Sequence, residues 1–232
     1  MPVEETIQKY QNENVILTSN YVLNSHSDTI VSNIINPYEL DFRQMCSPTD
    51  NQLKDPNCAG FAAAQLLESI YWQKTGIPIQ LDAKQIYFFA KKLDGHPDEK
   101  GTHPEYTLKA SLYLCRDLMD LSSYSVKTFY KYAIDDLLTY VRFIIHKNMF
   151  ILGGFRISES WYKVSKFNYV ISKDNKFVGN HACLICGYDK KGFIIQNSWG
   201  RNWGRKGFAK IDNQTFVNQF VCGSYLEDSV KE

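Results

Sequence analysis

Residues 55–64 read Asp-Pro-Asn-Cys-Ala-Gly-Phe-Ala-Ala-Ala, so Cys58 stands where a polar loop gives way to a long apolar run of helix formers. A cysteine at that junction can do chemistry. The first turn of a helix carries roughly half a positive charge, which favours thiolate over thiol. A thiol nucleophile also needs a proton carrier, and an imidazole is the usual one. His181 is the best placed of the five histidines because it opens the apolar stretch His-Ala-Cys-Leu-Ile-Cys-Gly-Tyr. A tight turn at Asp189-Lys190-Lys191-Gly192 should fold the following stretch back antiparallel and bring Asn197 beside His181. An asparagine oxygen can accept from one ring nitrogen and leave the other facing a thiol, with Trp199 shielding that bond from water. Core packing explains each residue singly: Cys58 as a small hydrophobe, His181 as a satisfied core histidine. It does not explain the set.

These side chains need elements to hold them. The pattern predicts a helix that starts at Cys58, with Asn57 as N-cap, and stops near Gly76. A second helix is AKQIYFFAKKL, with Asp82 as N-cap and Gly95 beyond its end. A third lies near EYTLKASLYLCRDL and a fourth is IDDLLTYVRFIIHK. After Lys147 the texture changes to short β-branched or aromatic runs (MFILGGFRI, FNYVI, NHACLICGYD, KGFIIQNSW and GFAKI) punctuated by glycine and turn residues. A helical half followed by a β half implies an α+β protein with segregated lobes and a cleft between them. The boundaries expected are a polar, weakly patterned extension over 1–36, a mainly helical lobe over 37–148 and a β lobe over 149–232.

Composition sets further bounds. At 232 residues, 44% apolar and 22% charged, the chain has enough core to fold without staples. Six scattered cysteines do not make a disulfide scaffold, and the start MPVEETIQKYQNEN has neither a basic region nor an apolar run. Free thiols and an intracellular, cytoplasmic or particle-packaged location are therefore expected, with no membrane association. Residues 1–150 carry 14 Lys/Arg against 18 Asp/Glu, whereas residues 151–232 carry 12 against 7. The basic second half is first a solvated surface and only weakly a case for nucleic acid. Cys183-x-x-Cys186 has the spacing of half a zinc site, but positions three apart on a strand face opposite sides. His96 and His103 fall in a Pro/Gly/acid loop and read as solvated. No metal, organic cofactor, P-loop or dinucleotide site is indicated.

The chain resembles the papain-like cysteine peptidases. Gln52, Cys58, His181 and Asn197 match that family's catalytic positions, Gln52 standing six residues before the cysteine as the family's oxyanion-hole glutamine does. The run Asn197-Ser198-Trp199-Gly200, then Asn202-Trp203-Gly204 and Gly207-Phe208, follows the family pattern closely. His181 and Asn197 lie 123 and 139 residues after Cys58, against a family spacing of about 130–150. The resemblance spans about residues 37–228. It implies a two-lobed fold with a helical lobe, an antiparallel β-barrel lobe and the active site in the cleft. It implies peptide-bond hydrolysis through a thioester, with a peptide or protein as the only partner of a monomer.

By the same resemblance, Gly101 and Thr102 correspond to the glycine-rich cleft wall. Glu227, five residues after Cys222, corresponds to the floor of the pocket for the second substrate residue before the cut, as in cathepsin B-like members. With Trp199 these make up the expected substrate-facing set. The chain also departs from the family. Asp-Pro-Asn-Cys-Ala replaces Cys-Gly-Ser-Cys-Trp, which removes the disulfide beside the nucleophile and one aromatic of the cleft. Asp55 would oppose a thiolate if it pointed inward. No long inhibitory pro-region precedes residue 37, so a short segment with Ile16, Leu17 and Tyr21 is expected to lie across the cleft. A catalytically silent peptide-binding protein of the same fold and a peptide ligase are the alternatives.

Overall fold

The structure is a computed structural model that describes residues 39–228. The segment 1–36, with Ile16, Leu17 and Tyr21, lies outside the described residues. The order of elements is β1 (Leu40–Asp41), α1 (Cys58–Thr75), α2 (Ala83–Leu93), α3 (Pro104–Leu114), β2 (Tyr124–Tyr130) and α4 (Leu137–Asn148). Then come β3 (Ile151–Ser158), β4 (Val170–Ile171), β5 (Phe177–Asp189), β6 (Gly192–Gln196), β7 (Phe208–Asp212), α5 (Asn213–Gln219) and β8 (Phe220–Asp228).

Helix α1 is more enclosed than an apolar stripe would require, and nearly every residue from Ala59 to Ser69 is buried. Helices α2 and α3 cover one side and strand β5 the other, which is why the run is rich in alanine: small side chains let three neighbours approach. At Gly60 any Cβ would overlap the Ala83 carbonyl and come to 2.8 Å from Tyr87 Cβ, so α1 and α2 touch there. Two buried polar groups of α1 are spent on its surroundings, while the buried Gln65 amide has no partner among the described residues. Glu68 Oε1 accepts from the Leu81 N–H at 2.8 Å, and Ser69 Oγ accepts from the Ser47 N–H at 2.9 Å. The helix stops at Gly76, whose φ of +71° suits glycine and whose N–H donates to the Trp72 carbonyl. Asp82 caps α2 by accepting from the N–H groups of Lys84 and Gln85.

The strands form one sheet in the order β2-β8-β3-β5-β6-β7-β4, with β1 added on β5. Every pairing is antiparallel except β4 with β7. The expected closed barrel does not form, and the ladder is an open path. Strand β4 is only two residues long and spends its hydrogen bonds on β7, while β2 pairs along all seven of its residues with β8. Strand β2 and helix α5 are additions to the elements read from sequence.

Strand β5 divides the interior. Ala182, Leu184 and Cys186 face the core shared with α1, α2 and α3, whereas Cys183 and Ile185 face a second core with α4, α5 and Trp161. A bulge opposite Ile195 and Ile194 inserts Cys186 as an extra residue, which returns Tyr188 to the second core. Cys183 and Cys186 therefore point into different cores and cannot share a metal ion. Helix α4 contributes Leu137, Val141, Ile144 and Ile145 to the second core, so the interior is not divided at residue 148. No helix among the described residues is long and apolar enough to cross a membrane.

Candidate active site

The hairpin β5–β6 sets the site. Its register pairs Leu184 with Gln196, so Asn197, one step beyond β6, comes back beside the start of β5. There His181 Nε2 lies 2.7 Å from Asn197 Oδ1. The same oxygen accepts from the Ser198 N–H at 2.8 Å. Two donors on one atom fix the amide orientation, and because that oxygen can only accept, His181 carries its proton on Nε2. Nδ1 is left as the ring's acceptor. His181 is 6% exposed, and burial holds its pKa down to about 4, with the Asn197 bond acting in the opposite direction.

Cys58 is the first residue of α1. Asn57 occupies the N-cap position, but its side chain makes no capping bond and its Oδ1 has no partner among the described residues. The backbone N–H groups of Ala182, Ala59 and Cys58 itself lie toward the sulfur. Burial raises the thiol's pKa, and those N–H groups pull it down. Ala182 follows His181 directly, so one strand supplies both the imidazole and an N–H that favours charge on the sulfur. Asp55 turns outward, with its Oδ2 2.7 Å from Lys84 Nζ, and does not oppose charge on Cys58.

Asn197, Ser198 and Trp199 each hold a different partner. Asn197 bonds to His181. Ser198 Oγ donates to Gln52 Oε1 at 2.6 Å, and the Ser198 carbonyl accepts from the Gln52 N–H at 2.8 Å. Gln52 Nε2 spends one hydrogen on the Asp55 carbonyl at 2.8 Å, leaving the second free. Trp199 lies over His181, with ring centroids 4.8 Å apart. Gly200 must be glycine because its φ is +81° and the Asn51 side chain packs where a Cβ would be. The Asn197 N–H donates to the Gly207 carbonyl, and Gly207 (φ +92°) lies against the Thr49 side chain.

Sequence reasoning missed three contributors. Ser198, the clamp on Gln52, was legible only as part of a motif. Trp161 is fully buried, stands edge-on to His181 at 5.8 Å and donates from Nε1 to Gln219 Oε1. Tyr162, stacked on Trp199 at 5.2 Å and 5° between planes, extends that wall to the surface. Nothing in SESWYK marks either aromatic as a neighbour of His181.

The cleft-wall and pocket residues are placed apart from this group. The Gly101 N–H donates to Tyr87 Oη, and its carbonyl accepts from the buried Lys91 Nζ, both at 2.9 Å. Thr102 Oγ1 donates to Asp94 Oδ2 at 2.6 Å. His103 is no solvated loop residue: it caps α3, and its ring lies 5.5 Å from that of Tyr130. Pro104 reaches the β-sheet at Gly154, next to the pair Phe155–His181. His96 is exposed beside Glu99. Glu227, near the end of β8, is about half exposed with Oε2 3.1 Å from Lys127 Nζ.

A buried imidazole oriented by an asparagine, a cysteine at a helix N-terminus and a clamped glutamine amide on a helix-plus-sheet frame define the thiol peptidase class. Residues 144–225 match the family model of papain family cysteine proteases. Chymomexicain of Jacaratia mexicana is 25% identical over 82% of this chain and 94% of its own length. Among solved structures, xylellain, a cysteine protease from Xylella fastidiosa, superposes with a TM-score of 0.65 at 17% identity, covering 86% of this chain and 88% of that one. A cysteine protease from Carica candamarcensis gives a TM-score of 0.62, also at 17% identity, over 83% and 99%. The likeness is therefore to papain family cysteine proteases, in the family model over residues 144–225 and in fold over most of the chain.

Proposed function

We propose that the protein is a cysteine endopeptidase in which Cys58 is the nucleophile, His181 the proton carrier, Asn197 its orienting partner and Gln52 the side-chain oxyanion donor. The observation that carries this reading is the 2.7 Å bond from His181 to Asn197 beside a cysteine that opens the central helix. Cys58 Sγ attacks the scissile carbonyl carbon while its proton passes to His181 Nδ1. The carbonyl oxygen becomes an oxyanion, met by the free hydrogen of Gln52 Nε2 and the Cys58 N–H. Collapse breaks the C–N bond, and His181 gives its proton to the leaving amine. Water then attacks the thioester with His181 again as base, releasing the acid and restoring the thiol.

Burial favours the neutral thiol and the neutral imidazole in the free site. The N–H groups of Ala182 and Ala59 stabilise charge on sulfur as it forms. The test is labelling with a thiol-directed peptidyl epoxide and mass mapping of the adduct. The adduct is expected on Cys58, and Cys58→Ala should lose both labelling and turnover while keeping the fold. Adduct on Cys46 or Cys222, or turnover by Cys58→Ala, removes the assignment. Product analysis with an added amine separates hydrolysis from ligation.

Glu227 contributes a bounded selectivity. An arginine side chain would compete with Lys127 for an exposed carboxylate, a contact worth about 0.2–1 kcal/mol. Glu227→Ala should therefore change the preference for Arg over Leu at that substrate position by no more than about fivefold.

A further inference from the structure

The second half's basic excess is concentrated beside the site. The loops 159–169 and 199–207 pack on each other: Trp203 Nε1 donates to the Trp161 carbonyl at 2.8 Å, and Arg205 lies 3.5 Å over the Tyr169 ring. Val164 touches the position of a Gly204 Cβ. Together they present Lys163, Lys166, Arg201, Arg205 and Lys206, all exposed. Lys176 and Lys210 nearby are neutralised by Glu159 and Asp189. The five rim cations have no carboxylate partner among the described residues. The facing acid is Asp50, half-buried at the foot of the Gly200 turn, where burial raises its pKa.

The position of this rim gives it meaning. Lys163 follows Tyr162 in the chain, and Arg201 stands two residues after Trp199, the two rings of the stack. That stack covers the outer side of His181. His181 hands its proton to the leaving amine, so the part of the substrate that departs with that amine must lie on the imidazole's side of the nucleophile, across this aromatic shelf.

We propose that the rim recognises acidic residues in the substrate segment that follows the scissile bond, so that the preferred substrate is a peptide with Asp or Glu in the first few positions after the cut. The aromatic shelf supports the backbone and the cations select the side chains. This rests on the peptidase reading above and names the substrate class for it.

An exposed ion pair changes binding by about 1.4- to fivefold, and two or three together set the expected preference at about tenfold. The experiment uses three fluorescent peptides, identical up to the cut, carrying Glu-Asp-Glu, Gln-Asn-Gln or Lys-Arg-Lys after it. Their binding to full-length Cys58→Ala is followed by anisotropy and their cleavage by the intact enzyme as kcat/KM. The acidic peptide should bind and be cleaved about tenfold better than the amide peptide, and the basic one worst. The preference should collapse in about 1 M salt, where the screening length is about 3 Å. It should also collapse in Lys163→Ala/Arg201→Ala, which should cleave the amide peptide as before.

Equal binding of all three peptides overturns the proposal, and so does a short duplex DNA that holds the rim while the peptides show no ranking. Failure of every peptide to be cleaved while the acidic one still binds best would remove the peptidase reading and leave the rim's selectivity standing.

Discussion

Asn197, Ser198 and Trp199 show how much one tripeptide can organise. Asn197→Ala should leave His181 present but free to rotate. Turnover should fall by about 10- to 100-fold, less than the complete loss from Cys58→Ala, in steady-state assays at equal folded fraction. Ser198→Ala leaves the buried Gln52 Oε1 without its donor. That costs about 1–3 kcal/mol and lowers kcat, while the rate of Cys58 labelling should hardly change. Gln52→Ala should lower kcat by about 10²–10³-fold.

The closeness of His181 and Asn197 was legible because a tight turn and strand alternation dictate which residues return to each other. The N–H groups at the sulfur were not. They depend on where α1 stands relative to β5, and that is set by packing between residues far apart in the chain. Asn57 shows the limit of cap rules: its type fits an N-cap, yet its φ of −111° and ψ of 26° turn the side chain away from the helix N–H groups.

At the scale of elements, the loop at Gly101 and Thr102 is held by a polar clip. Lys91, buried on α2, joins the Gly101 carbonyl and Asp94, while Asp94 also takes Thr102 Oγ1 and Tyr87 takes the Gly101 N–H. The six cysteines are all free, so this network holds the loop without a covalent link. Lys91→Met would leave Asp94 uncompensated, at a cost of about 3–5 kcal/mol. In the fraction that stays folded it should raise KM more than it lowers kcat, and Lys91→Arg should recover part of both.

Burial alone would raise the Asp94 carboxyl, but bonds from Lys91, Thr102 and the His96 N–H outweigh it and leave its pKa below the ordinary 3.8. A depressed carboxyl stabilises the fold above its unfolded pKa and loses that contribution as pH falls through the folded value. The clip should therefore survive mild acid and fail only below about pH 4, which acid titration of loop fluorescence or amide exchange would report. The four helices were legible from caps, glycine stops and apolar runs. Helix α5 was not, since Asn-Gln-Thr-Phe-Val-Asn-Gln is too short to show a period. Strand β2 was hidden because most of its residues are half-buried and alternate weakly.

At the scale of the whole molecule, the α+β class followed from the change of texture at Lys147. The closed barrel did not form, because closure depends on how many residues each edge strand can pair. The expected cover over the cleft falls in residues 1–36. If that segment lies across the site, its removal should raise turnover of a small peptide at equal stability, and unchanged kinetics would make it a mere arm.

Strand β5 carries a wider consequence. Its two faces wall two different cores, so neither core can lose its order without stripping apolar contacts from the other. The lobes should therefore melt together. Calorimetry is expected to show one endotherm, with calorimetric and van't Hoff enthalpies equal. A charge placed on either face of β5, as in Cys183→Asp or Cys186→Asp, should lower the same single midpoint rather than split it. A cleft enzyme is often pictured as two bodies that hinge. Here the strand that bears the imidazole is structural to both, so the site is anchored in the last part of the molecule to come apart.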